Sequence, residues 1–157
     1  MKHDHPIVGH IHLTVADLDR SLSFYRDLLG FQVTARMGDS AVFLSAGGYH
    51  HHIGLNTWAG KGVPPAPHGY AGMYHVAFLY PTRKELAVVV RRLVDAGYVL
   101  DGASDHGVSE AIYLTDPDGN GVELYADRPR ETWTVSNDGM VEMVSKPLDI
   151  DALLAEA

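Results

Sequence analysis

The sequence predicts an α+β protein: two βαβββ units pairing into an open, barrel-like mixed sheet with flanking helices. Three observations carry that expectation. The order strand, helix, three strands occurs twice along the chain; the segments flanking each helix alternate apolar and polar residues; and 157 residues at 46% hydrophobic and 20% charged can bury a core without help from cross-links. One domain spanning 1–157 is expected, divided into a first unit at 7–58, a linker loop at 59–71, a second unit at 72–126, and a tail at 127–157 with a short helix beginning near Asp149.

The first unit opens with Val8 to Val15, which alternates as a strand with two unlike faces does. Asp17 or Asp19 then caps a helix whose apolar residues Leu18, Leu22, Tyr25 and Leu29 recur at helical spacing, and Gly30 stands where a left-handed cap ends it. Phe31–Ala35, Ala41–Ser45 and Tyr49–Trp58 are the three strands that follow. The second unit repeats the order with a strand at Tyr74–Leu79. Thr82 and Glu85 form a capping box, Leu86, Val89, Val90 and Leu93 mark a buried stripe, and Gly97 stops the helix. Strands at Val99–Leu100, Glu110–Thr115 and Gly121–Ala126 complete it. Gly60 to Pro67 is rich in turn formers and separates the copies, while Asp116-Pro117-Asp118-Gly119-Asn120-Gly121 reads as a tight hairpin turn and not a calcium loop, which would end in glutamate.

Charge excludes several classes of function. Twelve Lys and Arg against twenty Asp and Glu give a formal charge of −8, so nothing draws the chain to nucleic acid or anionic lipid. The longest aliphatic run, Leu86 to Val90, is too short for a membrane span, and Met-Lys-His-Asp-His-Pro is no signal core; a cytoplasmic chain is expected. Zero cysteines leave nitrogen and oxygen as the only metal donors, against ten histidines.

Registering the copies puts His10 and His75 at equivalent places near the start of the first strand of each unit. Leu44 precedes Ile53 by the spacing with which Leu114 precedes Glu123. The concave surface is thus expected to receive His10 and Ile53 from one copy, and His75 and Glu123 from the other. Two imidazoles and one carboxylate, with an apolar fourth place, form the metal face of non-haem iron(II) oxygenases, where open positions admit dioxygen and a chelating substrate. In an extended segment His51 shares a face with Ile53, so His51 is expected to face the metal without necessarily binding it, while His50 and His52 point away. The alternative is three partly exposed surface histidines. His12 shares the face of His10 and either lines the cavity or fills space, and Tyr49 and Trp58 belong to core or rim.

These residues resemble the vicinal oxygen chelate superfamily, which holds glyoxalase I, fosfomycin-resistance proteins and type I extradiol dioxygenases; catechol 2,3-dioxygenase-like proteins look nearest. Gly9-His10-Ile11-His12-Leu13, Ser21 to Tyr25, Tyr49 to Trp58 and Asp105 to Tyr125 carry the likeness, which continues through Asp127 to Trp133. The resemblance implies an iron(II) extradiol ring-cleaving dioxygenase of aromatic catabolism, with manganese(II) as the alternative metal. In it His10, His75 and Glu123 match the metal ligands, His51 the acid–base histidine, Tyr113 the substrate-side tyrosine and His106 a further histidine of the site. His51, His106 and Tyr113 would meet a small aromatic substrate beside dioxygen, joined by His12 where, on the face it shares with His10, it lines the cavity. It also implies a homodimer. Many extradiol enzymes of the superfamily carry four units where this chain has two. A glyoxalase-type isomerase or thiol transferase, and a small-molecule binding protein of the same fold, are the competing readings.

Overall fold

The computed structural model describes residues 4–67 and 69–157. The chain divides between residues 68 and 69 into two compact units, a boundary inside the anticipated loop.

The first unit contains β1 (Ile11–Thr14), α1 (Leu18–Leu22), β2 (Gln32–Met37), β3 (Ala41–Ser45) and β4 (Ile53–Asn56) in a four-stranded sheet of order β1-β4-β3-β2. Strands β1 and β4 run parallel and the other neighbours antiparallel. The Asp17 carboxylate accepts from Arg20 N–H and so caps α1, as its position before the apolar run dictates. Beyond α1 the helical path widens into a π-helical stretch at Ser23–Leu28, where Leu29 N–H donates to the Phe24 carbonyl. Its Phe24 and Tyr25 are buried.

The second unit repeats the plan. It comprises β5 (Val76–Leu79), α2 (Arg83–Asp95), β6 (Gly102–Asp105), β7 (Ser109–Thr115) and β8 (Gly121–Asp127), with β9 (Lys146–Pro147) added at the edge to give the order β5-β8-β7-β6-β9. The Thr82 hydroxyl accepts from Glu85 N–H at the start of α2, and Leu86, Val89, Val90 and Leu93 form the buried stripe the spacing required. The DPDGNG segment is a hairpin turn: the Asp116 carboxylate accepts from Asp118 N–H, Asn120 N–H and the Asn120 amide, and Gly119 takes a positive φ. The tail ends in α3 (Ile150–Leu154), capped by Asp149 and packed on α2 through the fully buried Leu153.

One strand falls elsewhere than the sequence suggests. Val99–Leu100 is not a strand, and Val99 is well exposed; pairing begins at the polar Gly102–Asp105, where the backbone meets β7. The ladder to β7 decides this, not β propensity.

Each sheet has one covered face and one open face. In the first unit Leu13, Val42, Leu44, Ile53 and Leu55 lie on the covered side, leaving His12, Phe43 and Gly54 on the open one. In the second, Val122, Leu124 and Ala126 lie beneath α2, and alternation turns Tyr113, Glu123 and Tyr125 outward.

Candidate functional site

On the open face of the second unit, parallel pairing sets Ala77 beside Glu123, and antiparallel pairing sets Tyr113 opposite Glu123. His75 precedes β5 and points the same way. Its Nε2 stands 2.9 Å from Glu123 Oε2, while its Nδ1 is buried with no hydrogen-bond partner. This approach depends on Gly121. A Cβ there would overlap the Tyr74 carbonyl oxygen and stand 3.1 Å from His75 Cβ, so only glycine lets β8 run this close to residues 74–75.

Tyr113 extends the group. Its hydroxyl is 2.6 Å from His106 Nε2, and its ring centroid is 5.9 Å from that of His75. Burial, the neighbouring Glu123 charge and Tyr74 push the Tyr113 pKa up, and a hydrogen bond to Glu123 adds to this, so the phenol stays protonated at neutral pH. Nearby, Arg128 bonds both Asp105 and Glu110, and Arg83 also reaches Glu110.

The open face of the first unit carries imidazoles. The His10 and His51 rings lie 4.4 Å apart, Phe43 stands 5.1 Å from His51 and 5.8 Å from His12, and Trp58 stands 5.2 Å from His12. Desolvation first, then the adjoining His10, His50, His12 and His52, hold the His51 pKa below the ordinary histidine value. The shift favours the uncharged imidazole at His51, with a free lone pair and a weaker proton affinity than an ordinary histidine. His50 Nδ1 is 2.7 Å from His51 Nδ1, and His52 Nδ1 meets the Ser45 hydroxyl at 3.0 Å, closing the end of β3. Tyr49 and Trp58 are exposed, so they belong to the rim and not the core.

The register corrects one expectation. Leu44 pairs with Ile53, but Leu114 pairs with Val122; Phe43 pairs with Gly54 as Tyr113 pairs with Glu123. The counterpart of Glu123 is therefore Gly54, and Ile53 is fully buried on the covered face. Counted between paired residues, the stretch from Leu44 to Ile53 is one residue longer than that from Leu114 to Val122, which an ungapped count conceals. His51 joins the open-face group for another reason than shared alternation with Ile53: a bend at His52 breaks the strand before β4 begins. At Gly54 a Cβ would stand 2.9 Å from Cγ and Nδ1 of His12, so the His12 ring lies over this glycine, in the place Glu123 fills in the other unit. Gly54 and the chain passing His106 from the tail were the functional features missed; pairing register, not residue type, reveals them.

Two donors each about 2.1 Å from one divalent ion at a right angle stand about 3.0 Å apart, so the His75–Glu123 separation fits shared coordination. Nitrogen and oxygen donors of this kind suit iron(II) or manganese(II). Among the described residues no group of three or more His, Cys, Asp or Glu side chains is gathered so as to hold a metal ion; the second unit supplies the His75–Glu123 pair, and His10 stands one residue ahead of β1 as His75 stands one residue ahead of β5.

A doubled βαβββ unit with polar donors on its open faces defines a class of fold, and the comparisons place the chain in it. The chain belongs to the Glyoxalase/Bleomycin resistance protein/Dioxygenase superfamily, whose family model matches residues 7–124. It is 43% identical to the catechol-2,3-dioxygenase of Bacillus subtilis over 155 residues, covering 99% of this chain and 53% of that protein. It is 33% identical to biphenyl-2,3-diol 1,2-dioxygenase 3 of Rhodococcus globerulus over 122 residues, 78% of this chain and 64% of that one. The chain thus spans about half to two thirds of these relatives. A glyoxalase/dioxygenase from Nostoc punctiforme shares the fold with a TM-score of 0.67 at 19% identity, over 78% of this chain and 92% of that one. Among the described residues no helix is long and apolar enough to cross a membrane.

Proposed function

We propose that the chain is a metal-dependent extradiol dioxygenase that opens the ring of a catechol-type substrate, with iron(II) as its metal. The observation that carries this reading is the His75 Nε2–Glu123 Oε2 approach of 2.9 Å on an open sheet face, with Tyr113 paired opposite the same glutamate. The similarity to two proteins named as dioxygenases of aromatic diols supports it. The reading requires His10 to join His75 and Glu123 as the third donor. Its partners are a small aromatic diol and dioxygen, and a homodimer is the expected assembly.

A bound iron(II) supplies adjacent open positions at which a catechol and dioxygen react, both oxygen atoms entering the ring-opened semialdehyde product. The protein supplies the rest. His51, kept neutral, takes a proton from the catechol hydroxyl and later returns one. Tyr113, kept protonated, offers a fixed hydroxyl against oxygen that gains charge, and His106 holds that hydroxyl in place. His12 and Trp58 bound the aromatic side of the first unit's open face.

The test is oxygen uptake over a panel of catechols after anaerobic loading with iron(II), beside elemental analysis of freshly purified protein. Uptake with a yellow product, lost in His75→Ala and Glu123→Gln, is expected. A chain that holds stoichiometric iron yet consumes no oxygen with any catechol would overturn the reading.

A further inference from the structure

The tail crosses back to His106 after leaving the second sheet. Trp133 Nε1 donates to the Arg128 carbonyl, Val135 bridges to Val141, and Glu142 N–H donates to the Thr134 carbonyl, which folds the strap on itself. Lys146 and Pro147 then pair with Asp105 and Ser104. Between these anchors Val144 N–H donates to the His106 carbonyl at 3.2 Å, and the Val144 carbonyl accepts from His106 Nδ1 at 2.7 Å. Gly107, at φ +77°, leaves room for this: a Cβ there would stand 3.2 Å from Val144 Cγ2.

A carbonyl oxygen has no proton to give, so His106 Nδ1 must carry the hydrogen. Nε2, 2.6 Å from the Tyr113 hydroxyl, is left as the nitrogen that can be bare or protonated. Bare, it competes with the Glu123 carboxylate for the single phenol hydrogen. Protonated, it donates to the Tyr113 oxygen and releases that hydrogen. We propose that the C-terminal strap is a positioning element of the site, its Val144 carbonyl locking His106 in the Nδ1–H tautomer so that Nε2 is the nitrogen turned to the Tyr113 hydroxyl. What that contact does in a reaction rests on the dioxygenase reading; the lock itself does not.

The imidazole nitrogen shifts of His106 in the full-length 15N-labelled chain, with zinc(II) replacing any paramagnetic ion and His106→Gln for assignment, read the tautomer directly. A pyrrole-type Nδ1 and a pyridine-type Nε2 are expected. Val144→Pro removes the N–H that ties the strap to the His106 carbonyl while leaving every side chain of the site in place. It should move His106 toward the Nε2–H form and lower kcat about 10-fold with KM little changed, as loss of a tautomer-fixing partner does. An Nε2–H tautomer in the unaltered chain overturns the proposal, as does an unchanged tautomer in a folded Val144→Pro whose His106 Nδ1–H signal shows the contact to the residue-144 carbonyl to be broken. If that variant does not fold, or keeps the contact, the unaltered chain's shifts decide alone. Absence of oxygen uptake beside an intact Nδ1–H tautomer would sink the dioxygenase reading and leave the strap's role standing.

Discussion

Replacing Gly121 by alanine sets two opposed effects against each other. Gly121 does not occupy the left-handed region, so alanine there loses less chain entropy on folding and would stabilise by about 0.4–1 kcal/mol if space allowed. Space does not allow it. The new Cβ meets the Tyr74 carbonyl oxygen well inside contact, with His75 Cβ at 3.1 Å and His75 Cα at 3.3 Å. None of these is the end of a flexible side chain, so strand β8 must draw away from residues 74–75 by about 1 Å to restore ordinary separation. Overpacking of this kind costs about 1–3 kcal/mol, so a net loss near 1–2 kcal/mol is expected. The functional loss should be larger, because the same displacement separates His75 from Glu123 and a 1 Å misplacement can cost about 100-fold in rate. Metal stoichiometry, oxygen uptake and thermal unfolding of Gly121→Ala measure the three consequences. A variant with unchanged midpoint and unchanged metal content would show that β8 does not hold His75 and Glu123 together as described.

Gly54→Ala should leave the metal ligands in place, but its Cβ would stand 2.9 Å from His12 Cγ, which ring rotation does not move, so the whole His12 side chain must shift; the midpoint should fall by the equivalent of about 1–3 kcal/mol, while KM for a catechol changes and metal content does not. The Glu110 side chain is 8% exposed and bonded to Arg83 and Arg128, so Glu110→Ala removes one partner from each guanidinium, leaving Glu156 on Arg83 and Asp105 on Arg128. Those groups are about one-third exposed, which reduces the loss from the value for a fully buried pair to about 2 kcal/mol, readable by urea unfolding. The Asp105 carboxyl is held below the usual range first by Arg128 and then by the Gly107 N–H. A lowered folded-state pKa contributes stability that is present above the unfolded carboxylate value and lost as pH falls through the folded one. Asp105→Asn should therefore narrow its stability gap from the parent in acid, and a gap that widens as pH falls would contradict the pairing.

The repeated element order was legible because it rests on local signals. Asp17 and Thr82 cap their helices just ahead of an apolar stripe, and the stripe Leu86, Val89, Val90, Leu93 must be buried against a neighbouring element. Strand alternation puts Ala77 and Glu123 on one face, and two residues back His75 shares it, whereas the ungapped count between the units matched Glu123 to Ile53 when the ladders match it to Gly54. The β6 position was not legible, since Gly-Ala-Ser-Asp has no strand preference and becomes a strand only through β7. The Val144 carbonyl was out of reach for a deeper reason: every residue but proline at that position would offer both of its backbone groups, so residue type carries no trace of the contact.

The same register explains why the carboxylate occurs once. In each unit the first and last strands run parallel and place two side chains at one lateral position: His12 beside Gly54, and Ala77 beside Glu123. Each pair joins one large polar residue to a small one, with the order reversed. A glutamate at 54 would collide with the His12 ring, which approaches within 2.9 Å of where its Cβ must stand. Conversely, a histidine at 77 would lie across β8 and crowd Glu123. The space admits a carboxylate or an imidazole from each unit but not both, so the single glutamate follows from packing as well as from chemistry. The double variant His12→Ala with Gly54→Glu exchanges the order in the first unit and should fold, whereas Gly54→Glu alone should lose stability by an overpacking cost of about 1–3 kcal/mol. Equal midpoints for the single and double variants would mean that His12 and Gly54 do not share the position, and the argument from packing would fail.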